Sequence, residues 1–194
     1  MRVIGGEFRS RLLKSVPGLD TRPTPDRLRE ALFNVLAPRI EGAVFVDAYA
    51  GTGAVGIEAL SRGAARAIFI EQNRAAVAVI RENLKSLGCE GRAQMMGGRV
   101  SALLGTVTGD IVFLDPPYRL EREYAAAMEA LAAKPPALVI VQHDVRLVLA
   151  ESYGALQRSR TLRQGDNVLS FYEKQNGGSV EEPPSSRSER DVRT

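Results

Sequence analysis

Asp47, the hexapeptide Gly51-Thr52-Gly53-Ala54-Val55-Gly56, Glu71 and the tetrapeptide Asp115-Pro116-Pro117-Tyr118 are the residues whose types and spacing could do chemistry. The hexapeptide matches GxGxxG letter for letter, the turn through which a strand enters a helix beneath a nucleotide. Glycines at 51 and 53 let the backbone approach a ligand closely. Asp47 stands four residues before the first glycine, where it would repel a pyrophosphate. A cationic ligand without a pyrophosphate, such as S-adenosylmethionine, suits an acid there. Glu71, twenty residues after Gly51, is placed for its carboxylate to accept both hydroxyls of a ribose. Two plainer readings stay open: a tight strand–helix turn that holds nothing, and Glu71 capping the next helix.

Asp115-Pro116-Pro117-Tyr118 closes the apolar run DIVFLD. It therefore sits where an open α/β sheet binds ligands, outside the carboxyl ends of its strands. The two prolines stiffen the corner and remove two N–H donors, so carbonyls and a carboxylate remain as acceptors. Such a pair could grip an exocyclic amino group. The lone pair of that nitrogen is delocalised into its base ring, and holding both hydrogens helps it pyramidalise into a nucleophile. Tyr118 offers a face on which a flipped base can stack, worth ~1–3 kcal/mol. The plainer reading is a rigid turn around a core tyrosine.

These residues need a scaffold, and the hydrophobic pattern supplies one. VFVDAY, AIFIE (67–71), a short stretch near Gln94–Met96, DIVFLD (110–115) and ALVIVQH (137–143) read as strands. The last two are apolar throughout, as parallel strands buried on both faces are. Thr24-Pro25-Asp26 opens a helix that carries Leu28, Leu32, Val35 and Leu36 and stops at Pro38. Further helices are expected over GIEALSRG, from Asn73 to Leu87 with Gly88 as the left-handed stop, and over Val145–Ala150. Strands near 156–163 and 168–174 flank Gln164-Gly165-Asp166-Asn167, a gap that permits only an antiparallel hairpin. The expectation is an α/β, doubly wound, mostly parallel Rossmann-like sheet finished by one reversed strand. A small N-terminal β-hairpin around Gly5-Gly6 precedes it. Residues 1–20 read as a basic extension, 21–174 as the main domain and 175–194 as a disordered tail.

The 194 residues suit one domain. No apolar run approaches the ~20 residues of a membrane span, and the N-terminus lacks a signal peptide's apolar core. Cys89 is the only cysteine and His143 the only histidine, which excludes an internal disulfide and a Cys/His zinc site. A cytoplasmic, metal-free protein is expected. Charge is uneven: residues 1–29 hold seven bases and three acids, whereas 30–174 are neutral. Arg2, Arg9, Arg11, Lys14 and Arg22 thus form a candidate phosphate-contacting patch for a nucleic acid, or else a solvated basic face. Asp144 beside His143 reads as a helix N-cap, and no GxSxG accompanies the pair to make a hydrolase. Cys89 reads as an ordinary core or loop cysteine, and Asn34, among the leucines of the first helix, leaves two readings open, a turn-stabilising residue or part of a cofactor lid.

DAYAGTG, FIEQN and DPPY, in that order, resemble the motifs of class I amino-methyltransferases. TRPTPDRLREALFNVL, GAVGIEALSRGA, LSFYEK and MRVIGGEFRSRLLKSVPG resemble more specifically the bacterial 16S rRNA (guanine-N2)-methyltransferases of the RsmD type, over about residues 1–174. The resemblance implies transfer of a methyl group from S-adenosylmethionine to the exocyclic amine of a guanine in small-subunit rRNA, free or within a ribosomal subunit. It implies cofactor contacts from Asp47, Tyr49, Ala50, Gly51, Gly53, Glu71, Gln72, Gly98 and Arg99. It places the guanine at Asp115, Pro116, Pro117 and Tyr118. The sequence departs from the family pattern at Gly97-Gly98-Arg99, which offers no acid for the adenine amino group, and at Val141-Gln142-His143-Asp144, where relatives often carry Glu. Within the class, an adenine-N6 or cytosine-N4 methyltransferase shares DPPY, but this chain has no spare length for a target-recognition domain. A nicotinamide oxidoreductase and a non-catalytic RNA-binding module are the alternatives from other classes.

Overall fold

The computed structural model describes residues 1–16, 26–117 and 121–175. Helix α1 (Asp26–Leu36) leads into β1 (Val44–Ala48), α2 (Ala54–Ser61), β2 (Arg66–Glu71), α3 (Arg74–Leu87) and β3 (Ala93–Gly97). The single turn α4 (Val100–Leu103), β4 (Ile111–Leu114), α5 (Glu121–Ala133) and β5 (Leu138–Asp144) follow. β6 (Ser152–Tyr153), β7 (Leu156–Gln164) and β8 (Asn167–Lys174) close the described fold. All eight strands share one sheet in the order β3-β2-β1-β4-β5-β8-β7-β6. The first five run parallel; β8 is antiparallel to β5, β7 to β8 and β6 to β7. The doubly wound sheet with its reversed strand is present, and β6 adds a two-residue edge to it. From β1 the chain winds outward through β2 and β3, and from β4 outward through β5. The order therefore reverses between β1 and β4, and a crevice opens at their carboxyl ends.

Burial explains these elements. β4 (IVFL) is buried at every residue because helices cover both faces of the sheet. On one face α4 and α5 pack on Val46, Ile68, Val112 and Val139; on the other α1 and α2 pack on Phe45, Ile111, Phe113 and Ile140. Asn73 caps α3, its side chain accepting from the Ala75 and Ala76 N–H groups, and Gly88 ends it at φ 68°. The N-terminal hairpin is minimal, a chain reversal closed by one antiparallel bridge between Arg2 and Leu12. It docks by burying Val3, Phe8 and Leu13 with Ile57, Leu60, Ile80 and Leu84. Glu58, fully buried on α2, accepts from the N–H groups of Ile4 and Gly5 at 2.8 Å each and pairs with Arg62 at 2.7 Å.

One expected element is absent. Residues 145–150 form no helix. Burial there alternates, with Leu147 half-buried, Val148 90% exposed and Leu149 buried, a period of two that gives a helix no apolar face. The backbone bonds to side chains instead: Arg146 N–H donates to the Asp144 carboxylate at 2.9 Å, Ala150 N–H to the Tyr153 hydroxyl at 3.1 Å, and the Ala150 carbonyl accepts from Tyr172 at 2.7 Å. Asp144 is thus the head of a turn rather than a helix cap. Conversely, α5 is a helix the strand-centred reading leaves unnamed. Its signal is Tyr124, Ala127, Met128 and Leu131, all buried at i, i+3, i+4 and i+7.

Candidate active site

Asp47 lies one residue before the end of β1, at the floor of the crevice, 2% exposed, and its carboxylate accepts from the Gly56 N–H at 2.8 Å. Burial drives its pKa well above the ordinary carboxylate range. The Gly56 hydrogen bond opposes this, and the nearby charges of Asp115 and Glu71 reinforce it. Carboxyl groups from β1, β2 and the end of β4 therefore lie close enough to interact at these strand ends. Glu71 is held by two main-chain donors, the N–H groups of Gly51 and Asn73, each at 2.8 Å. One oxygen goes to each donor, which fixes the carboxylate plane and leaves further lone pairs for a ligand.

The glycine turn is shaped by two different demands. At Gly51, φ is +55° and an added Cβ would meet nothing within 4 Å, so the position faces open space at the mouth of the crevice. At Gly56 an added Cβ would come within 2.3 Å of the Phe69 ring, so this glycine serves helix–sheet packing. Tyr49 also adopts positive φ, at 66°; among the described residues only Ser10 shares that among non-glycines. Such a conformation costs ~1–3 kcal/mol in a bulky residue and is held by its surroundings. Here Ala50 N–H donates to the Ile70 carbonyl at 3.0 Å and the Tyr49 hydroxyl donates to Glu123 of α5 at 2.9 Å.

The other expected cofactor residues also lie along these strand ends. Gln72 is exposed beside Glu71, and Gly98 N–H donates to the Glu71 carbonyl at 3.0 Å, which brings the exposed Arg99 to the same rim. Asp115 and Pro117 flank the buried Pro116 at the end of β4. Tyr118 and Arg22 lie outside the described residues. Arg2, Arg9, Arg11 and Lys14 are exposed on the N-terminal segment. Arg11 donates to the Ser86 carbonyl and Lys14 pairs with Glu82 at 2.8 Å, so this patch runs along α3.

Asn83, 1% exposed, is a residue the motifs gave no reason to single out. Its side chain accepts from Lys14 N–H at 2.8 Å and donates to the carbonyls of Lys14 at 3.1 Å and Thr52 at 3.3 Å, joining the N-terminal segment to the glycine turn. A polar residue interrupting an apolar helix face was its only signal. His143 is buried and its pKa lowered, chiefly by burial. Nδ1 lies 2.9 Å from the Asp144 carbonyl, which can only accept, and Nε2 lies 2.9 Å from the Ser170 hydroxyl. It is a neutral, satisfied core histidine. Asn34 is exposed on α1, and Cys89 is buried. No group of His, Cys, Asp and Glu among the described residues could hold a metal ion. A pocket of about 600 Å³ opens at the other end of α2, lined by Glu7, Glu41, Arg62 and Arg92 among others. It contains no crevice residue, and its arginines pair with Glu58 and Glu7 at 2.7 Å.

A doubly wound sheet whose switch point carries a glycine turn, flanking carboxylates and an Asp-Pro-Pro corner has the class I methyltransferase fold; that class uses S-adenosylmethionine as methyl donor. The chain belongs to the family described as Conserved hypothetical protein 95, which matches residues 1–173. It is 34% identical over 182 residues to Bacillus subtilis YlbH, covering 90% of this chain and 99% of that one. It is 44% identical over 121 residues to the Ribosomal RNA small subunit methyltransferase D of Escherichia coli, covering 61% of each. The solved structure of Escherichia coli yhhF superposes with a TM-score of 0.78 at 36% identity, covering 90% of this chain and 98% of that one.

Proposed function

We propose that this protein transfers a methyl group from S-adenosylmethionine to the exocyclic N2 amine of a guanine in small-subunit rRNA, in the cytoplasm. One observation carries the choice of ligand: three carboxyl groups, from β1, β2 and the end of β4, lie together at the switch point. Asp47 sits buried against the charges of Asp115 and Glu71. Such a site repels a pyrophosphate and attracts a sulfonium and an ammonium group. That favours a sulfonium donor over the nicotinamide alternative. The open face at Gly51 and the doubly anchored Glu71 fit the rest of the donor, its backbone-side approach and its ribose. The relative named Ribosomal RNA small subunit methyltransferase D supports the RNA substrate.

When bound, the donor supplies a sulfonium methyl: the amine's lone pair forms the N–C bond, the S–C pair stays with sulfur, and one amine proton leaves to water. Asp115 and the Pro116 carbonyl accept from the two amine hydrogens and turn the nitrogen lone pair toward the methyl. Asp115 need not be a strong base, because the nitrogen becomes acidic only as the methyl arrives. Orientation supplies most of the rate. Tyr118 offers its ring to the flipped guanine. Asp47, Gly51, Gly53 and Glu71 hold the donor, with Tyr49, Ala50, Gln72, Gly98 and Arg99 lining its rim.

Labelled methyl transfer to small subunits lacking endogenous modification, followed by nucleoside identification, tests the reading. N2-methylguanosine is expected. Transfer to adenine N6 or cytosine N4 would establish the sister chemistry instead, and no transfer to any RNA would refute the proposal.

The N-terminal patch carries its own expectation. Replacing exposed Arg9 and Arg11 by Ala should weaken RNA binding and reduce the slope of log affinity against log salt by about 0.7–0.9 for each phosphate no longer neutralised. Donor affinity should not change. An unaltered slope would leave the patch as solvated surface.

A further inference from the structure

Helix α5 touches both halves of the crevice through two consecutive residues of its first turn. Glu123 accepts from the hydroxyl of Tyr49 at 2.9 Å, and Tyr49 is the left-handed residue that opens the glycine turn after β1. Tyr124 donates its hydroxyl to the carbonyl of Pro116 at 3.2 Å, in the corner after β4. Tyr124 is 1% exposed and belongs to the α5 core cluster, so its hydroxyl has a fixed base from which to act. Tyr49 packs against the same cluster. β1 and β4 are adjacent and in register as far as Ala48 opposite Leu114, so Tyr49 and Asp115 leave the sheet side by side. From that point the backbone ladder no longer ties the two loops together.

We infer that Glu123 and Tyr124 form a clamp that sets the separation of the donor-side loop and the acceptor-side corner. Both are positioning residues. They act through Tyr49 and the Pro116 carbonyl rather than on substrate. The inference rests on the methyltransferase reading given above. In-line transfer is steeply sensitive to the gap between the two reacting atoms, and a misplacement of about 1 Å can cost ~10²-fold. Two features of the clamp fit that demand. Tyr124 occupies one lone pair of the Pro116 carbonyl and orients the other, since a carbonyl oxygen has two. Burial and the Glu123 carboxylate together raise the Tyr49 phenol above its ordinary pKa, so the hydroxyl stays a donor across the working range.

The test uses the full chain with Tyr49→Phe, Tyr124→Phe, the double variant, Glu123→Gln, Glu123→Ala and, as a control on the exposed face of α5, Glu129→Gln. Single-turnover methylation, donor affinity by calorimetry and melting temperature are measured for each. Each Phe variant is expected to lower the single-turnover rate by about 10–100-fold, and in Tyr124→Phe, which alters no residue of the donor site, donor affinity should stay within about twofold. Both links set one separation, so losing either loosens the clamp and the double variant should be no slower than the worse single one. Glu123→Gln still presents an oxygen to the Tyr49 hydroxyl and should keep the rate, whereas Glu123→Ala should match Tyr49→Phe. Glu129→Gln should match wild type throughout.

Rates in the Phe variants equal to wild type would overturn the clamp. So would single effects that multiply in the double variant, or, in Tyr124→Phe, donor affinity falling in step with rate. Loss of melting temperature with no selective loss of rate would mark the two bonds as fold supports and also overturn it. Failure of the wild-type chain to methylate any RNA would instead strike the underlying reading, and the two failures are told apart by that control.

Discussion

Asp115→Ala is expected to lower the methyl-transfer rate at saturating RNA and donor by roughly 10²–10³, comparable to removing one preorganised hydrogen-bonding group from other active sites. The hydrogen bond from the amine to Asp115 strengthens as the nitrogen becomes tetrahedral, so its loss should appear mainly in kcat. Donor affinity faces two opposing changes. A carboxylate near the sulfonium is lost, yet the same carboxylate raises the pKa of Asp47, so its removal favours the ionised form of that partner. The net change should be small, and calorimetry measures it separately from turnover. Asp115→Asn keeps an acceptor oxygen in place and should recover part of the rate. An Asp115→Ala enzyme with wild-type kcat and a raised KM for RNA would show that the residue binds the base without assisting transfer.

The parts of this fold that were legible in the sequence are those in which burial follows a simple period. β4 and β5 could be read because both faces are covered and every residue of their central runs is buried. α3 could be read because its cap, its stripe and its glycine stop agree. The segment 145–150 has helix-forming residues, but its burial alternates and side chains from β6 and β8 take its backbone bonds. Composition cannot register such tertiary claims on a backbone. α5 failed to stand out for the opposite reason. Its stripe sets Tyr124 and Met128 in an alanine-rich helix, so the apolar face is weak in side-chain bulk.

Charge counting was blind to burial in one instructive place. Arg29 entered the basic total of residues 1–29, yet its side chain is fully buried. It donates to the Arg2 carbonyl at 2.7 Å and lies 3.7 Å from the Glu58 carboxylate. It is an anchor for the N-terminal segment and contributes nothing to a surface patch. The same packing decides how that patch can be tested. Val3, Phe8 and Leu13 are buried, and Glu58 would lose two main-chain donors if the segment were removed. Single substitutions of Arg9 and Arg11 therefore isolate charge, whereas deletion would remove core. At the crevice, the motifs located each carboxylate along the chain. Only the tertiary structure shows that their fields meet, and that α5 reaches both loops.

Asp47→Asn should separate the cost of the anionic crevice from its use. In the free protein the Asp47 carboxyl is buried, and burial raises its pKa well above the unfolded value. The folded state therefore binds a proton that the unfolded state has released, and stability falls as pH rises through the interval between the two pKa values. Above the folded value the penalty is constant. Asn can keep the acceptor for the Gly56 N–H but carries no charge, so the variant should melt higher than wild type at neutral pH. The difference should shrink in acid, where both side chains are neutral. Binding should respond in the opposite direction. Loss of a charged partner should weaken donor affinity by ~1.5–3 kcal/mol, or about 10–150-fold. A cation entering the crevice also draws the Asp47 pKa down, so the wild-type protein should release protons on donor uptake and bind more tightly as pH rises, until Asp47 is ionised when free. Calorimetry in buffers of different ionisation enthalpy measures that release, and Asp47→Asn should abolish the part due to this residue. A variant that melts no higher, binds the donor as wild type does and releases the same protons would show that Asp47 neither bears the burial cost nor meets the donor.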